Sequence, residues 1–260
     1  MINIPISQSI RFRPIETALP TFDNTFDTEQ RYIQYVAPFD LYIQVSRLDD
    51  SLAVPKMYIV ECSGTETEVS ITTTHTISGR VYYTFYLPFD EWNDKKLQLK
   101  VVEAFTGSAW VTTHMSEWFT IGAQPKMYEL ETNFYKLNWF NTENSFLTDY
   151  STGLVNEMLV EAKMSMVDHG GESSIYSNQG IETKLKEIVY RNFTFECDVP
   201  NYIGEQLTLA MAHDKFFINE IEFVVAKKPT SQQNGKSNIY SFKAEVRQKT
   251  VIGINTHDVG

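Results

Sequence analysis

The residues in this sequence best suited to moving protons are five histidines, His75, His114, His169, His213 and His257. Imidazole is the side chain that titrates near neutrality without perturbation. Two of the five adjoin an aspartate, as Asp168-His169 and His213-Asp214. A nucleophilic triad needs a hydroxyl or thiol beside such a pair and an acid that orients the ring. No Gly-x-Ser-x-Gly elbow accompanies either pair. Asp168-His169-Gly170-Gly171 reads as hairpin-turn chemistry. His213 follows a short helical segment, where an imidazole meets the negative end of the helix dipole. Both pairs therefore read as structural.

Other chemistries are weighed in the same way. No histidine pair has His-x-x-x-His spacing and no Cys-x-x-Cys occurs, so no metal site is expected. Glycine-rich phosphate loops are absent, and no cofactor is implied. Paired carboxylates can hydrolyse glycosides. Glu220 and Glu222 fall on one strand face beside Phe217, Ile221 and Phe223, while Glu61 and Glu103 stand singly; all read as the polar sides of strands. Asn192-Phe-Thr194 fits a glycosylation acceptor by accident, within a strand. Four tryptophans, Trp92, Trp110, Trp118 and Trp139, offer broad apolar rings. Trp110 and Trp118 flank a hairpin, where they either form a sugar-stacking platform or pack against the fold.

The elements that carry these residues are strands. Val81, Tyr83, Phe85 and Leu87 alternate with Tyr82, Thr84 and Tyr86. Phe193, Phe195, Cys197 and Val199 alternate with Asn192, Thr194, Glu196 and Asp198, and Tyr240, Phe242, Ala244 and Val246 repeat the pattern. A period of two places one set on a buried face and the other in water. Turn residues separate the runs: Asp49-Asp50-Ser51, Ser63-Gly64-Thr65, Ser78-Gly79 and Thr106-Gly107-Ser108. The spacing predicts one helix, over 202–213, where Ile203, Leu207 and Met211 recur at helical intervals after Pro200-Asn201. Long polar loops are expected at 141–152 and 228–237.

The fold class that follows is all-β, with two β-sandwich-like domains, the second bearing one short helix. The expected division is an irregular N-terminal arm over 1–30, a β-sandwich over 31–122 and a second β-rich domain over 123–260, joined at Gly122-Ala-Gln-Pro125. Pro5, Pro14 and Pro20 break any ladder in the arm. It either reaches to a neighbouring subunit or wraps on its own sheet.

Composition narrows the function classes. The 260 residues carry a formal charge of -11 and no basic run, which argues against binding through phosphate neutralisation. An acidic surface would still let DNA pass without sticking. The first residues lack a basic region and a continuous apolar stretch, so no signal peptide and no spanning helix are expected, and synthesis in a cytoplasm is. Cys62 and Cys197 are expected as two buried free thiols, a disulfide being the alternative.

Several stretches resemble a known group. Val81-Tyr-Tyr-Thr-Phe-Tyr-Leu-Pro-Phe-Asp-Glu-Trp92, then Lys96–Ala104, then Ser116-Glu-Trp-Phe-Thr-Ile121, look like a β-sandwich module of neck and tail proteins. Those proteins belong to phages infecting Bacteroidetes, crAss-like phages among them. Tyr135-Lys-Leu-Asn-Trp-Phe-Asn-Thr-Glu-Asn144 is similar to the opening of a second module, and Arg191–Lys227 to its continuation. The resemblance spans roughly residues 80 to 250 and implies a virion structural protein without catalytic residues. It implies a homo-oligomeric ring at the neck, tail or tail hub that contacts other virion proteins; the acidic charge adds transient DNA passage without sequence-specific nucleic-acid binding, and the lack of long apolar runs adds no membrane. Made in a bacterial host cytoplasm, such a chain would reside in the virion. Candidate contact residues are Phe22 and Phe26 in the arm, Phe146 and Tyr150 in the polar loop, and Trp110 and Trp118. The alternative is a carbohydrate-binding or adhesin-like sandwich module.

Overall fold

The computed structural model describes residues 2–5, 8–15, 34–36, 41–48, 53–92, 95–104, 109–121, 133–145, 148–178, 181–234, 239–249 and 253–256. The chain is all-β, and among these residues one helix exceeds a single turn. The N-terminal half supplies β1 (Phe12–Pro14), β2 (Gln34–Val36), β3 (Leu41–Arg47), β4 (Lys56–Glu61), β5 (Glu66–Val69), β6 (Ile71–Ile77) and β7 (Arg80–Leu87). The one-turn α1 (Phe89–Trp92), β8 (Lys95–Ala104), β9 (Trp110–Ser116) and β10 (Phe119–Ile121) follow. A three-stranded sheet in the order β3-β7-β6 faces a second sheet in which β8 pairs with β4, β9 and β10. Ile43, Val45, Val81, Phe85 and Leu87 from the first meet Met57, Ile59, Leu97, Leu99 and Val101 from the second. Each such side chain removed from water contributes about 1.5–3 kcal/mol.

The start of the chain is less irregular than its prolines suggest. Ile2 and Ile10 are buried in this core. Asn3 bridges to Ser46, and β1 pairs with β9. Pro14 sits at the end of β1, on the outer strand of its sheet, where a missing N–H is tolerated. Residues 2–5 and 8–15 therefore wrap on their own sheet.

The C-terminal half supplies β11 (Asn133–Phe140), β12 (Asn156–Asn178), β13 (Ile181–Pro200), α2 (Asn201–Ala210), β14 (Lys215–Ile218), β15 (Ile221–Gln233), β16 (Ile239–Gln248) and β17 (Gly253–Thr256). Antiparallel pairing runs from β12 through β11, β14, β15, β16 and β13 and returns to β12. Six strands thus close on themselves, and opposite walls face one another across one core. Leu137, Trp139, Met158, Val160, Phe195, Phe216 and Phe242 fill it. Helix α2 turns Ile203, Gln206, Leu207 and Ala210 inward and touches β11, β13, β15 and β16, so it plugs one end. Pro200 leads into it with extended backbone, as a residue that cannot donate in a helix interior should. The helix ends at Ala210, and residues 211–214 form a turn.

Strand β2 joins the halves. It pairs in parallel with β10 and bridges to β12 through Tyr35 and Leu159. The expected joint at 122–125 lies outside the described residues.

Three local expectations change. Asp168–Glu172 is not a turn: β12 runs straight through it, paired residue by residue to β13, and the hairpin reverses between Asn178 and Ile181. Gly170 is there for close approach, because a Cβ at that position would collide with the Tyr190 ring. The segment 228–237 is not wholly a loop, since β15 extends to Gln233. Glu220 lies in the turn between β14 and β15 with a φ of 69°, so it does not share a strand face with Glu222.

Truncating Trp139, fully buried in the barrel, to alanine is expected to cost about 3–5 kcal/mol in urea unfolding. Gly170→Ala is expected to push Tyr190 aside and to speed amide exchange along residues 168–191, by overpacking worth about 1–3 kcal/mol. A turn glycine would leave that exchange unchanged.

Candidate functional site

The histidine–aspartate pair that the fold assembles is not one that adjoins in sequence. His75 on β6 donates from Nδ1 to Oδ2 of Asp149 at 2.5 Å. The Asp149 side chain is fully buried, and His75 is half-exposed. A buried carboxylate orienting an imidazole is two-thirds of a triad. The remaining third is missing: among the described residues no hydroxyl or thiol bonds to Nε2 of His75. The other oxygen of Asp149 instead accepts from the N–H and O–H of Ser151, at 3.0 and 2.6 Å. It thereby caps the short 3-10 turn Tyr150–Thr152, which ends at Gly153 with a φ of 78°. Burial pushes the Asp149 carboxyl up, but the bonds from Ser151 and His75 outweigh it, and the group titrates below its ordinary value. A cleft of about 230 Å³ opens nearby, lined by Leu48, Ile77, Arg80, Tyr82, Asn144 and Ser145.

This pair belongs to a polar clasp between sandwich and barrel. The Gln44 side chain accepts from the Asp149 N–H at 2.6 Å and donates to the Asp149 carbonyl at 3.2 Å. Its backbone exchanges two bonds with the Gln8 side chain, at 2.6 and 2.7 Å. The Gln8 carbonyl in turn accepts from Nε2 of Gln206 on α2. Beside it, Arg11 pairs with Glu205 at 2.9 Å, and the Ser9 hydroxyl accepts from the Glu157 N–H at 2.8 Å. Residues 8–11, 144–145 and 148–156 therefore lie between the two cores. They cover the second face of β7, which is why Tyr82 and Thr84 are buried as well as Tyr83 and Phe85.

Tyr150, expected as a contact residue, is buried in this clasp, and its hydroxyl donates to Nε2 of His213 at 2.8 Å. Nδ1 of His213 bonds to the Leu209 carbonyl at 2.7 Å and so carries the proton. Burial lowers the His213 pKa and raises that of Tyr150 to about 12. His213 thus ties the end of α2 to the clasp. His169 and Asp168 lie on an exposed strand, where Asp168 accepts from Asn192 at 2.6 Å.

Trp110 is 45 % exposed, with Lys56 over its ring at 5.4 Å, and Trp118 is partly buried beneath Lys96 at 5.4 Å. They stand at and beyond opposite ends of β9 and form no common platform. Phe22, Phe26 and Phe146 lie outside the described residues. Glu103 is buried, with neither carboxylate oxygen hydrogen-bonded. Cys62 is exposed, not buried as expected, because it sits past the end of β4. Cys197 is buried, which pushes its thiol up to about 12, and both are free. Among the described residues no group of three or more His, Cys, Asp or Glu could hold a metal ion, and no helix is long and apolar enough to cross a membrane.

The surface that stands out is an arm. Beyond Lys163, β12 pairs with β13 and with no other described strand as far as Asn178. β16 leaves β13 at Asn192, and β17 flanks it over Lys186–Val189. Among the described residues the final stretch, Ile175–Asn178 against Ile181–Lys184, is two-stranded. The arm from Asp168 to Asn178 reaches roughly 35 Å from the barrel, at about 3.3 Å per residue. Val167 is the extra residue of a bulge between Met166 and Asp168, and it is 61 % exposed. Bulges re-aim side chains in this way. Near the tip, Ile175 and Tyr176 are 58 % and 50 % exposed. At the root, a groove of about 330 Å³ runs past Val167, Tyr190, Phe193, Ala226, Val246 and Arg247. The Arg247 guanidinium lies 4.4 Å from the centroid of Tyr190. No local pattern marks this arm in the sequence beyond long alternation, and the double glycine disguises it as a turn.

No family model matches the chain, and no curated protein matches it. Among solved structures, a pullulanase from Anoxybacillus sp. complexed with maltotriose aligns at 11% identity. The alignment covers 62% of this chain and 23% of that one, with a TM-score of 0.23.

Gln44→Ala is expected to cost about 1–3 kcal/mol in chemical unfolding, because it strands the buried Asp149 backbone groups. Asp149 has a depressed folded pKa, so its stabilisation is present above the unfolded value and is lost as pH falls through the folded one. The melting temperature of the native chain should therefore drop below about pH 4. That of Asp149→Asn should start lower at pH 7 and lose less over the same acid window.

Proposed function

We propose that the chain is a structural subunit of a tailed-phage virion, joining like copies into a ring at the neck, tail or tail hub and contacting other virion proteins. The observation that carries this reading is the arm. A two-stranded ribbon is marginal by itself in water, and an unpaired strand edge is a template for pairing with another chain. This arm also exposes Ile175 and Tyr176 near its tip and Val167 at its root. Those features serve contact better than catalysis. The histidine that a buried carboxylate orients, His75, is spent on holding Asp149 in the clasp, and His213 on tying α2 to Tyr150.

The rest of the molecule is consistent with that role. The clasp and the shared β2 bridge make sandwich and barrel a firm base for the arm. The net charge of -11 would let DNA transit without adhering. Unlike patches meeting between neighbours generate a closed ring. The resemblance of residues 80 to 250 to neck and tail modules supplies the virion context.

Light scattering of the full chain at micromolar concentration should give a defined mass of several subunits. Replacing residues 174–186 by Asn-Gly, a two-residue turn between the cross-strand pair Ser173 and Glu187, should lower that mass. The unfolding midpoint should not move. A monomer at every concentration rejects the assembly reading.

A further inference from the structure

We infer that the tip of the arm, led by Tyr176, docks into the root groove of a second copy of this chain; the inference rests on the assembly reading and specifies its contact. The first ground is geometric. Tip and groove belong to one continuous ladder, with Tyr176 paired to Thr183 at one end and Asp168 paired to Asn192 at the other. Eight residues of extended strand separate Asp168 from Tyr176, roughly 25 Å. A paired ribbon cannot fold back across that distance, so the tip of one chain cannot enter its own groove.

The second ground is charge. The chain carries -11 overall, which makes copies repel across most of their surface. The segment 163–191 carries four basic and four acidic residues and is neutral. The groove rim balances likewise, with Lys227 and Arg247 against Asp168 and Glu245. Lys227 and Glu245 already pair at 2.8 Å, and Asp168 bonds to Asn192. Arm and groove are thus places where two acidic copies can approach without mutual repulsion.

The third ground is chemical fit. The groove floor is mixed, with Val167, Phe193 and Ala226 beside Asp168 and Asn192 over the fully buried Val246, and one wall is the Arg247–Tyr190 stack. An incoming tyrosine can lie on that floor and keep its hydroxyl at the charged rim. Tyrosine is favoured at contact centres for this pairing of a large apolar body with a polar tip. Because tip and groove are different patches, each copy gives one and receives one, and the contact propagates round a ring.

A disulfide scan on the full chain tests this. In a Cys62→Ser background, which removes the exposed native thiol, the double variant Ser177→Cys with Ala226→Cys should form a covalent ladder of dimers, trimers and larger species under mild oxidation. Each single variant should stay monomeric on a non-reducing gel. Adding Tyr176→Ala to the double variant should reduce the ladder at least tenfold. Linkage needs Cα atoms within about 7 Å, so it reports the contact itself. Cross-linking by Ser177→Cys alone would mean tip-to-tip pairing and would overturn the inference. A multi-subunit mass without a ladder would overturn it while leaving the assembly reading intact. A monomer in light scattering would end both.

Discussion

Between Ala162 and Lys163, β12 leaves β11 and takes up β13. A strand paired to one neighbour at its start and another at its end imposes a stagger on the whole circuit. A sheet closes into a barrel only with such a stagger, since strands must tilt against the axis. The exchange of partners therefore permits six strands to enclose the core around Trp139, Phe195 and Phe242. It also leaves the remainder of β12 with no place in the barrel wall. The strand continues outward with β13, and the arm is what continues. The first part of β12 also meets β2 at Leu159, so barrel, arm and sandwich share one strand.

That arrangement would be loose if the two cores met only through a bridge. The material between them is polar, which has a physical consequence. An apolar contact tolerates sliding, whereas Gln44 satisfies both the N–H and the carbonyl of Asp149 in one orientation. Buried polar networks of this kind contribute little net stability, yet leaving one member unpaired is costly. The clasp thus selects a single docking of sandwich on barrel. Gln8 extends it from Gln44 to Gln206, so the start of the chain is held by both halves.

The alternation of Val81–Leu87, Phe193–Val199 and Tyr240–Val246 was legible in the sequence because a buried strand face imposes period two on any fold. The helix was legible too, to within a few residues at its end, since Ile203 and Leu207 repeat at the spacing of a turn. What alternation cannot carry is partnership. A strand with one wet face looks the same whether its neighbours form an open sheet or a closed circuit. Gly170-Gly171 misled for a related reason: glycine serves a turn or a close approach equally, and the Tyr190 ring that decides between them lies 20 residues away. The His75–Asp149 pair spans 74 positions and has no local signature. Asp168 beside His169 proved the poorer guide, because neighbours on a strand point to opposite faces.

The exposed edges of the fold are not treated alike. Among the described residues β15 leaves its outer edge unpaired past Phe223, but it carries Lys227, Lys228 and Pro229. Lysine and proline are devices that keep an edge from recruiting another strand, and irregular register is shared by both strands. β12 has an edge of comparable exposure and reach. Between Val167 and Asn178 it has no lysine and no proline, and it presents Ile175 and Tyr176 near its end. A fold that guards one edge and leaves a longer one open has not simply failed to protect itself. The opposing charges of the arm cancel on a chain that is otherwise acidic, so even the general repulsion between copies lapses there. The shape that β12 is forced to take by closing the barrel is thus also the place where this molecule is least defended against its own kind.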